Sequence, residues 1–385
     1  MSKKLILFII IAFSISLVLP FNVNLVSADS LTDSINEQLE HIDLSELEDF
    51  FNNIDKDNGE TFSEKFNNLV NGNFNFELNN LIDYVVELLF SKIRDLLPTF
   101  LTIIAISIFC GLLDDFKANF IAEGVSEIIS FIGLLSIILL ISSELIMIFE
   151  NAKITMKNLA NLNNIMSPII LTLMLAVGGN VSATVYKPVV VIFSNAIINV
   201  VLGFLFPLIG MLLILGIISN FSNSIKLNKS LELISSIIKW VLGVTCTIFG
   251  VFISVQGITS ASYDGISIKA TKYALSSGIP IVGGFIKDGF DLVVAGSILI
   301  KNTVGIISVI SMIFIIISPI LLTLAFSFLL KAVSAVIEPL CDKRIIGTLS
   351  TISKGINFLI ACIAVVSLMF FINVLLLLFS ANCFI

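Results

Sequence analysis

The feature that most constrains this chain is the way its charge and its apolar residues separate along the sequence. Residues 29–95 carry sixteen Asp/Glu against four Lys/Arg, whereas almost everything from Leu96 onwards is apolar, in long runs broken by Gly, Pro, Ser and Asn. No aqueous core hides that much Ile, Leu, Phe and Val. At 57% apolar and 13% charged residues, the chain departs from soluble domains, which run about 45–50% apolar and about 25% charged. Runs near twenty residues have the length of membrane-spanning helices. The expected fold is an all-α polytopic integral membrane protein of about seven or eight spans, some interrupted, with a small acidic helical head outside the cytoplasm.

The first 28 residues read as a signal peptide. Lys3 and Lys4 form a basic start, Leu5–Phe21 is apolar, and Val26-Ser27-Ala28 before Asp29 fits small-residue cleavage. The head, 29–95, then lies outside the cytoplasm, and its acidic surface argues against nucleic acid as a partner. Ile35, Leu39, Ile42, Leu47, Phe50, Phe51 and Ile54 recur at helical spacing, and Ser34…Glu37 and Thr61…Glu64 have capping-box form. One apolar stripe on a short helix needs a surface to cover it: the membrane domain, the lipid interface or a partner.

In the membrane domain, 96–385, clear span candidates are Leu96–Leu113, Ile128–Phe149, Ile237–Val255 and Ile356–Phe379. Ile165–Val177 is short for a span. Pro188–Ser219, interrupted by Asn195, Asn199, Gly203 and Pro207, reads as one kinked helix or as a hairpin of two. Leu292–Ile337, with Pro319 inside it, reads as two spans. The lysines of Lys226–Lys239, and Lys343, Arg344 and Lys354, prefer the cytoplasm. Simple alternation of these spans does not satisfy both preferences, so the orientation of the C-terminus stays open. Interrupted helices are tolerated at membrane depth where protein or water satisfies the freed backbone groups, as in transporters.

The polar segment 256–300 is rich in Gly, Ser and Ala and is expected to be re-entrant or interfacial, because small residues let helices approach closely in lipid. The candidate pathway or assembly residues are Gln256, Gly257, Asp264, Lys269, Lys272, Asp291, Lys301, Asn302 and Glu144. Lys301 sits between two apolar runs, where a lysine must snorkel or find a partner; Asp288, Asp291 and Glu144 are candidates. Gln256, Asn195, Asn199 and Asn373 are expected to make interhelical hydrogen bonds. The five cysteines have neither metal-ligand nor redox spacing, and His41 is the single histidine. No Walker-type or G-x-G-x-x-G motif and no intramembrane protease signature is present. The expectation is a non-enzyme without cofactor or metal.

The ordered series Ile253-Ser-Val-Gln-Gly257, Asp264-Gly-Ile266, Lys269, Ala270-Thr-Lys-Tyr273, Pro280-Ile-Val-Gly283 and Leu299-Ile-Lys-Asn-Thr-Val-Gly305, with the later Ala364-Val-Val-Ser-Leu-Met-Phe-Phe371, resembles the stage III sporulation protein AE family. The resemblance implies a protein of the mother-cell membrane facing the engulfed forespore. There it would join other stage III sporulation membrane proteins and a forespore-membrane partner in an assembly similar to a secretion channel. It implies a permease-like, gate or scaffold subunit, needed for forespore development after engulfment, and carries over no catalytic residues. The lipid bilayer is the other expected partner, and a homo-oligomer is compatible with the small-residue segment. The alternative is a self-contained secondary transporter for a small solute, motivated by the interrupted spans.

Overall fold

The computed structural model describes residues 78–115, 123–176, 193–221, 227–251, 283–339 and 341–379. The expected leader, the head up to residue 77 and most of the Gly/Ser-rich segment lie outside them. Among the described residues the fold is entirely helical. It comprises α1 (Leu78–Asp115), α2 (Glu123–Ala176), α3 (Ser194–Phe221), α4 (Asn228–Val251), α5 (Gly283–Ile337) and α6 (Lys343–Phe379). These six helices are long and apolar enough to cross a membrane.

Three apolar regions differ from the sequence reading. Ile128–Phe149 and Ile165–Val177 are not separate spans, because α2 runs unbroken through both as far as Ala176. Leu292–Ile337 is likewise one stretch of α5 and not two spans. The hairpin alternative for Pro188–Ser219 is excluded over Ser194–Phe221, which is a single helix with a π turn at Val201–Leu205. There the Phe206 N–H reaches the Val201 carbonyl, five residues back, just ahead of Pro207. A π turn is one of the local adjustments that let a helix continue past proline.

The prolines inside α1, α2 and α5 share another device. Thr102, Thr172 and Thr323 stand four residues after Pro98, Pro168 and Pro319, and each threonine hydroxyl donates to the proline's carbonyl, at 2.9, 2.9 and 2.6 Å. These bonds satisfy the threonine hydroxyls within the helix; the carbonyl that each proline leaves without its N–H partner is the one four residues earlier, on Arg94, Asn164 or Ile315. At 54 and 55 residues, α2 and α5 are each about 80 Å long. A hydrocarbon core is about 30 Å thick, so both extend well beyond a single crossing.

Side-chain contacts define two ends of the bundle. At the turn end, Cys341 Sγ donates to the Ser107 carbonyl at 3.0 Å, Phe131 packs on Phe221 at 5.6 Å, and Gly133 lies against Cys110. At the opposite end, Asn195 bonds to Asn164 at 3.2 Å and Asn373 Nδ2 donates to Ser194 Oγ at 2.9 Å. Consecutive members of the pairs α2–α3 and α5–α6 therefore run antiparallel, whereas α1 and α5 run parallel, as Phe100–Phe326 and Ser107–Cys341 show.

The α3–α6 seam is held in register by small residues. A Cβ on Gly347 would strike Asn220, one on Gly216 would strike Thr351, and one on Gly355 would come within 2.5 Å of Leu213. Each step of about one turn along α3 is matched by a turn back along α6, and Asn373–Ser194 closes the same register at the far end. Such close approach is how helices gain dispersion contact when lipid offers no hydrophobic drive. By contrast, α4 buries Ile234, Ile238, Leu242 and Phe249 and exposes Leu233, Trp240, Ile248 and Val251, a composition suited to lipid contact.

Gly355→Ile is expected to destabilise the bundle by about 1–3 kcal/mol through overpacking. Gly243→Ala, where an added Cβ meets nothing within 4 Å, should be neutral or stabilising by up to about 1 kcal/mol. Thermal unfolding of the two purified variants in one detergent checks both.

Candidate functional site

Polar side chains are buried most densely where α2 and α5 face each other away from the turn end. On α5, Ser297, Lys301, Ser308 and Ser311 are all buried, and their spacing places them on one stripe of the helix. From α2 come Asn163 and Ser167, both buried. Ser308 donates to its own helix at the Val304 carbonyl, 2.6 Å, and also meets Met166 Sδ. Ser167 donates to the Asn163 carbonyl at 2.5 Å. The neighbouring helices add the Asn164–Asn195 and Asn373–Ser194 bonds, so α2, α3, α5 and α6 all bring polar groups to this half of the bundle.

Two polar atoms in the seam are buried without a hydrogen bond among the described residues: Asn163 Nδ2 and Ser311 Oγ. They stand one turn from Met166 and Ser308 respectively, on helices that touch at that pair. In an apolar surrounding an unpaired amide costs about 1–3 kcal/mol. The orphaned amide on α2 and the orphaned hydroxyl on α5 are groups of the kind that water or a small polar solute satisfies.

Lys301 is fully buried at 0% exposure and is not an isolated group. Snorkelling to an interface, one of the two outcomes open from sequence, is thus not what it does within this chain. Glu144 is half-buried on α2. It stands twenty-two residues before Met166, about 33 Å of helix rise, on the far side of Ser308 from Lys301, and so is not the partner of Lys301. Asp291 is on α5 ten positions before Lys301, about 15 Å of rise, not one turn away; its side chain lies outside the described residues. Asn302 is half-buried and also partnered. Gln256, Gly257, Asp264, Lys269 and Lys272 lie outside the described residues, so the proposed 256–300 constellation is described only from Gly283 onwards.

The interhelical hydrogen bonds expected of Asn195 and Asn373 are present, whereas Asn199 is exposed. Sequence reasoning missed Asn163, Ser194, Ser308 and Ser311. The signal that could have found them is the helical stripe of Ser297, Lys301, Ser308 and Ser311 once 283–337 is taken as one helix. Among the described residues no group of three or more His, Cys, Asp or Glu side chains is placed to hold a metal ion.

Asn163→Leu removes the orphaned amide at similar volume and should leave the unfolding temperature unchanged or raise it. In the sporulation role that the family resemblance implies, the same variant should lower the yield of heat-resistant spores tenfold or more. Lys301→Met should likewise reach normal membrane levels but lose activity, with Lys301→Arg milder. Immunoblots of membranes beside spore counts read both effects.

Residues 61–381 match the family model described as stage III sporulation protein AE. A relative named "Stage III sporulation protein AE", from Bacillus subtilis (strain 168), is 29% identical over 313 residues, which is 81% of this chain and 78% of the relative. No solved structure matches. The match runs from before α1 to the end of α6, and the chain belongs to the stage III sporulation protein AE family, as a multi-pass membrane protein of that stage of spore formation.

Proposed function

We propose that this protein is a membrane subunit of a channel complex between mother cell and forespore, acting as a permease-like gate or scaffold. The carrying observation is the buried polar seam between two helices far longer than a bilayer, in a member of this family. Helices of that length carry a polar interior beyond the hydrocarbon, where it can meet partner subunits. The partners are other stage III membrane proteins and a component of the opposing forespore membrane. Chemical turnover has no part in this reading.

The six long apolar helices among the described residues, read as six crossings, support one orientation. With the acidic head outside the cytoplasm, alternation puts the α3–α4 connection, flanked by Lys226 and Lys229, and the α5–α6 turn, flanked by Lys343 and Arg344, in the cytoplasm. Both positively charged regions then obey the positive-inside rule. In this reading the conflict between the two lysine-rich connections disappears because Leu292–Ile337 counts as one crossing in α5, which leaves two crossings, α4 and α5, between them. In this orientation the C-terminus lies on the same side as the head.

A clean deletion in the host tests the function. Vegetative growth should be normal, and development should arrest after engulfment with a silent late forespore reporter. Normal spores, or a growth defect in rich medium, would overturn the reading.

Single-cysteine variants test the orientation. Cys341 should react with a membrane-impermeant maleimide only after permeabilisation, whereas Asn58→Cys in the head should react in intact protoplasts. The Cys341 thiol is raised above its ordinary pKa, chiefly by burial and then by Cys110, with Asp342 adding and the Ser107 side chain opposing. The protonated thiol is the unreactive form. Its labelling should therefore be slow at neutral pH and accelerate as pH rises through that elevated value.

A further inference from the structure

A second polar feature lies away from the seam, near the turn end, in the α5–α6 hairpin. A half-open cleft of about 350 Å³ is lined from α5 by Lys331, Ser334 and Glu338 and from α6 by Ser350, Ser353, Lys354 and Asn357. The volume is at the lower end of small-molecule sites, which run about 300–1,000 Å³. Its floor is hydrogen-bonded. Ser327 Oγ donates to Asn357 Oδ1 at 3.0 Å, and the Ser327 and Ser353 hydroxyls lie 3.1 Å apart. Ser327 and Ser353 are buried at 2% and 3% exposure. Because Asn357 accepts through Oδ1, its Nδ2 donors are left over, and they make no hydrogen bond among the described residues.

The rim is charged. Lys331, Glu338 and Lys354 are exposed, and none of them has an ion pair among the described residues. Two lysines against one glutamate give the rim a formal charge of one positive unit. Ammonium groups and amide donors over hydroxyls are complementary to phosphate oxygens. The glutamate is complementary to hydroxyl donors carried beside the phosphate.

We propose that this cleft binds a singly charged phosphodiester whose alcohol bears free hydroxyls, such as a glycerol ester. Lys331, Lys354 and Asn357 hold the phosphate, and Glu338 accepts from the hydroxyls. Position favours a phospholipid headgroup as the source. Lys331 and Lys354 lie about 10 and 17 Å of helix rise from the α5–α6 turn, near enough for their stems to lie along apolar surface with the ammonium at headgroup level. Basic pockets between membrane helices on the cytoplasmic side are suited to anionic headgroups. A soluble phosphate ester from the cytoplasm offers the same chemistry. The site is separate from the α2–α5 seam, and its test does not depend on the channel reading.

The test is native mass spectrometry of the full chain, purified in mild detergent and titrated in turn with phosphatidylglycerol, phosphatidylcholine and the soluble diester glycerophosphoglycerol. One phosphatidylglycerol per chain should be retained in preference to phosphatidylcholine. Lys331→Gln with Lys354→Gln should weaken retention tenfold or more, and Lys229→Gln, remote from the cleft, should not. Glu338→Gln should loosen phosphatidylglycerol and remove part of its preference over a lipid lacking glycerol hydroxyls. Unfolding temperatures of all variants separate a lost site from a lost fold. If glycerophosphoglycerol competes at equal concentration, the phosphodiester site stands and its source is soluble. Equal retention of the two lipids, or retention indifferent to the double variant at unchanged stability, would overturn the proposal.

Discussion

In hydrocarbon every backbone N–H and C=O must find its partner within the protein, and the rest of this bundle follows from how its helices meet that demand. Proline at positions 98, 168, 207 and 319 would end a helix in water by removing a donor and crowding the preceding turn. Here the helices continue. A π turn precedes Pro207, and after the other three prolines threonine hydroxyls bond within the helix, to the proline carbonyls, and so add no unpaired group of their own. Continuity makes α2 and α5 long.

Within the bundle, association rests on contact and not on exclusion of water. Gly216, Gly347 and Gly355 bring α3 and α6 together so closely that a methyl group at any of them meets a neighbour's side chain. Aromatic edges at Phe100–Phe326 and Phe149–Phe206, both with centroids 5.4 Å apart, fill the wider parts of the interface. This close-packed turn-end half supports an opposite half in which polar groups gather. The division has a physical basis: a polar group in low dielectric is held in place by its partners and is costly without them, so an orphaned amide such as Asn163 persists only where the surrounding helices are fixed by other contacts.

The two polar features differ in kind. The α2–α5 seam is enclosed and carries orphaned donors and a fully buried lysine, features of an interior that handles water or a polar solute. The α5–α6 cleft is open, with a hydrogen-bonded floor that leaves the Asn357 amide donors over and a charged rim without ion pairs among the described residues, features of a surface that receives a ligand from outside. Both draw on α5, which thereby links the two ends of the molecule through one rigid element.

The sequence by itself determined that the described part of this chain is a bundle of apolar helices, because runs of that length have few other ways to bury themselves. It also marked Asn195 and Asn373 as interhelical donors or acceptors and singled out Lys301 as a charge in apolar company. Tertiary structure decided where one helix ends and the next begins. An apolar run interrupted by Glu150–Asn164 or by Pro319 is consistent with either a turn or a continuous helix, and composition does not distinguish them. Only the neighbours that cover Ala152, Thr155, Met156 and Leu159 make α2 continuous through its polar middle. The same holds for the fate of Lys301. Its spacing permits snorkelling or burial, and the choice is made by helices distant in sequence, because burial is a property of what packs around a residue and not of the residue itself.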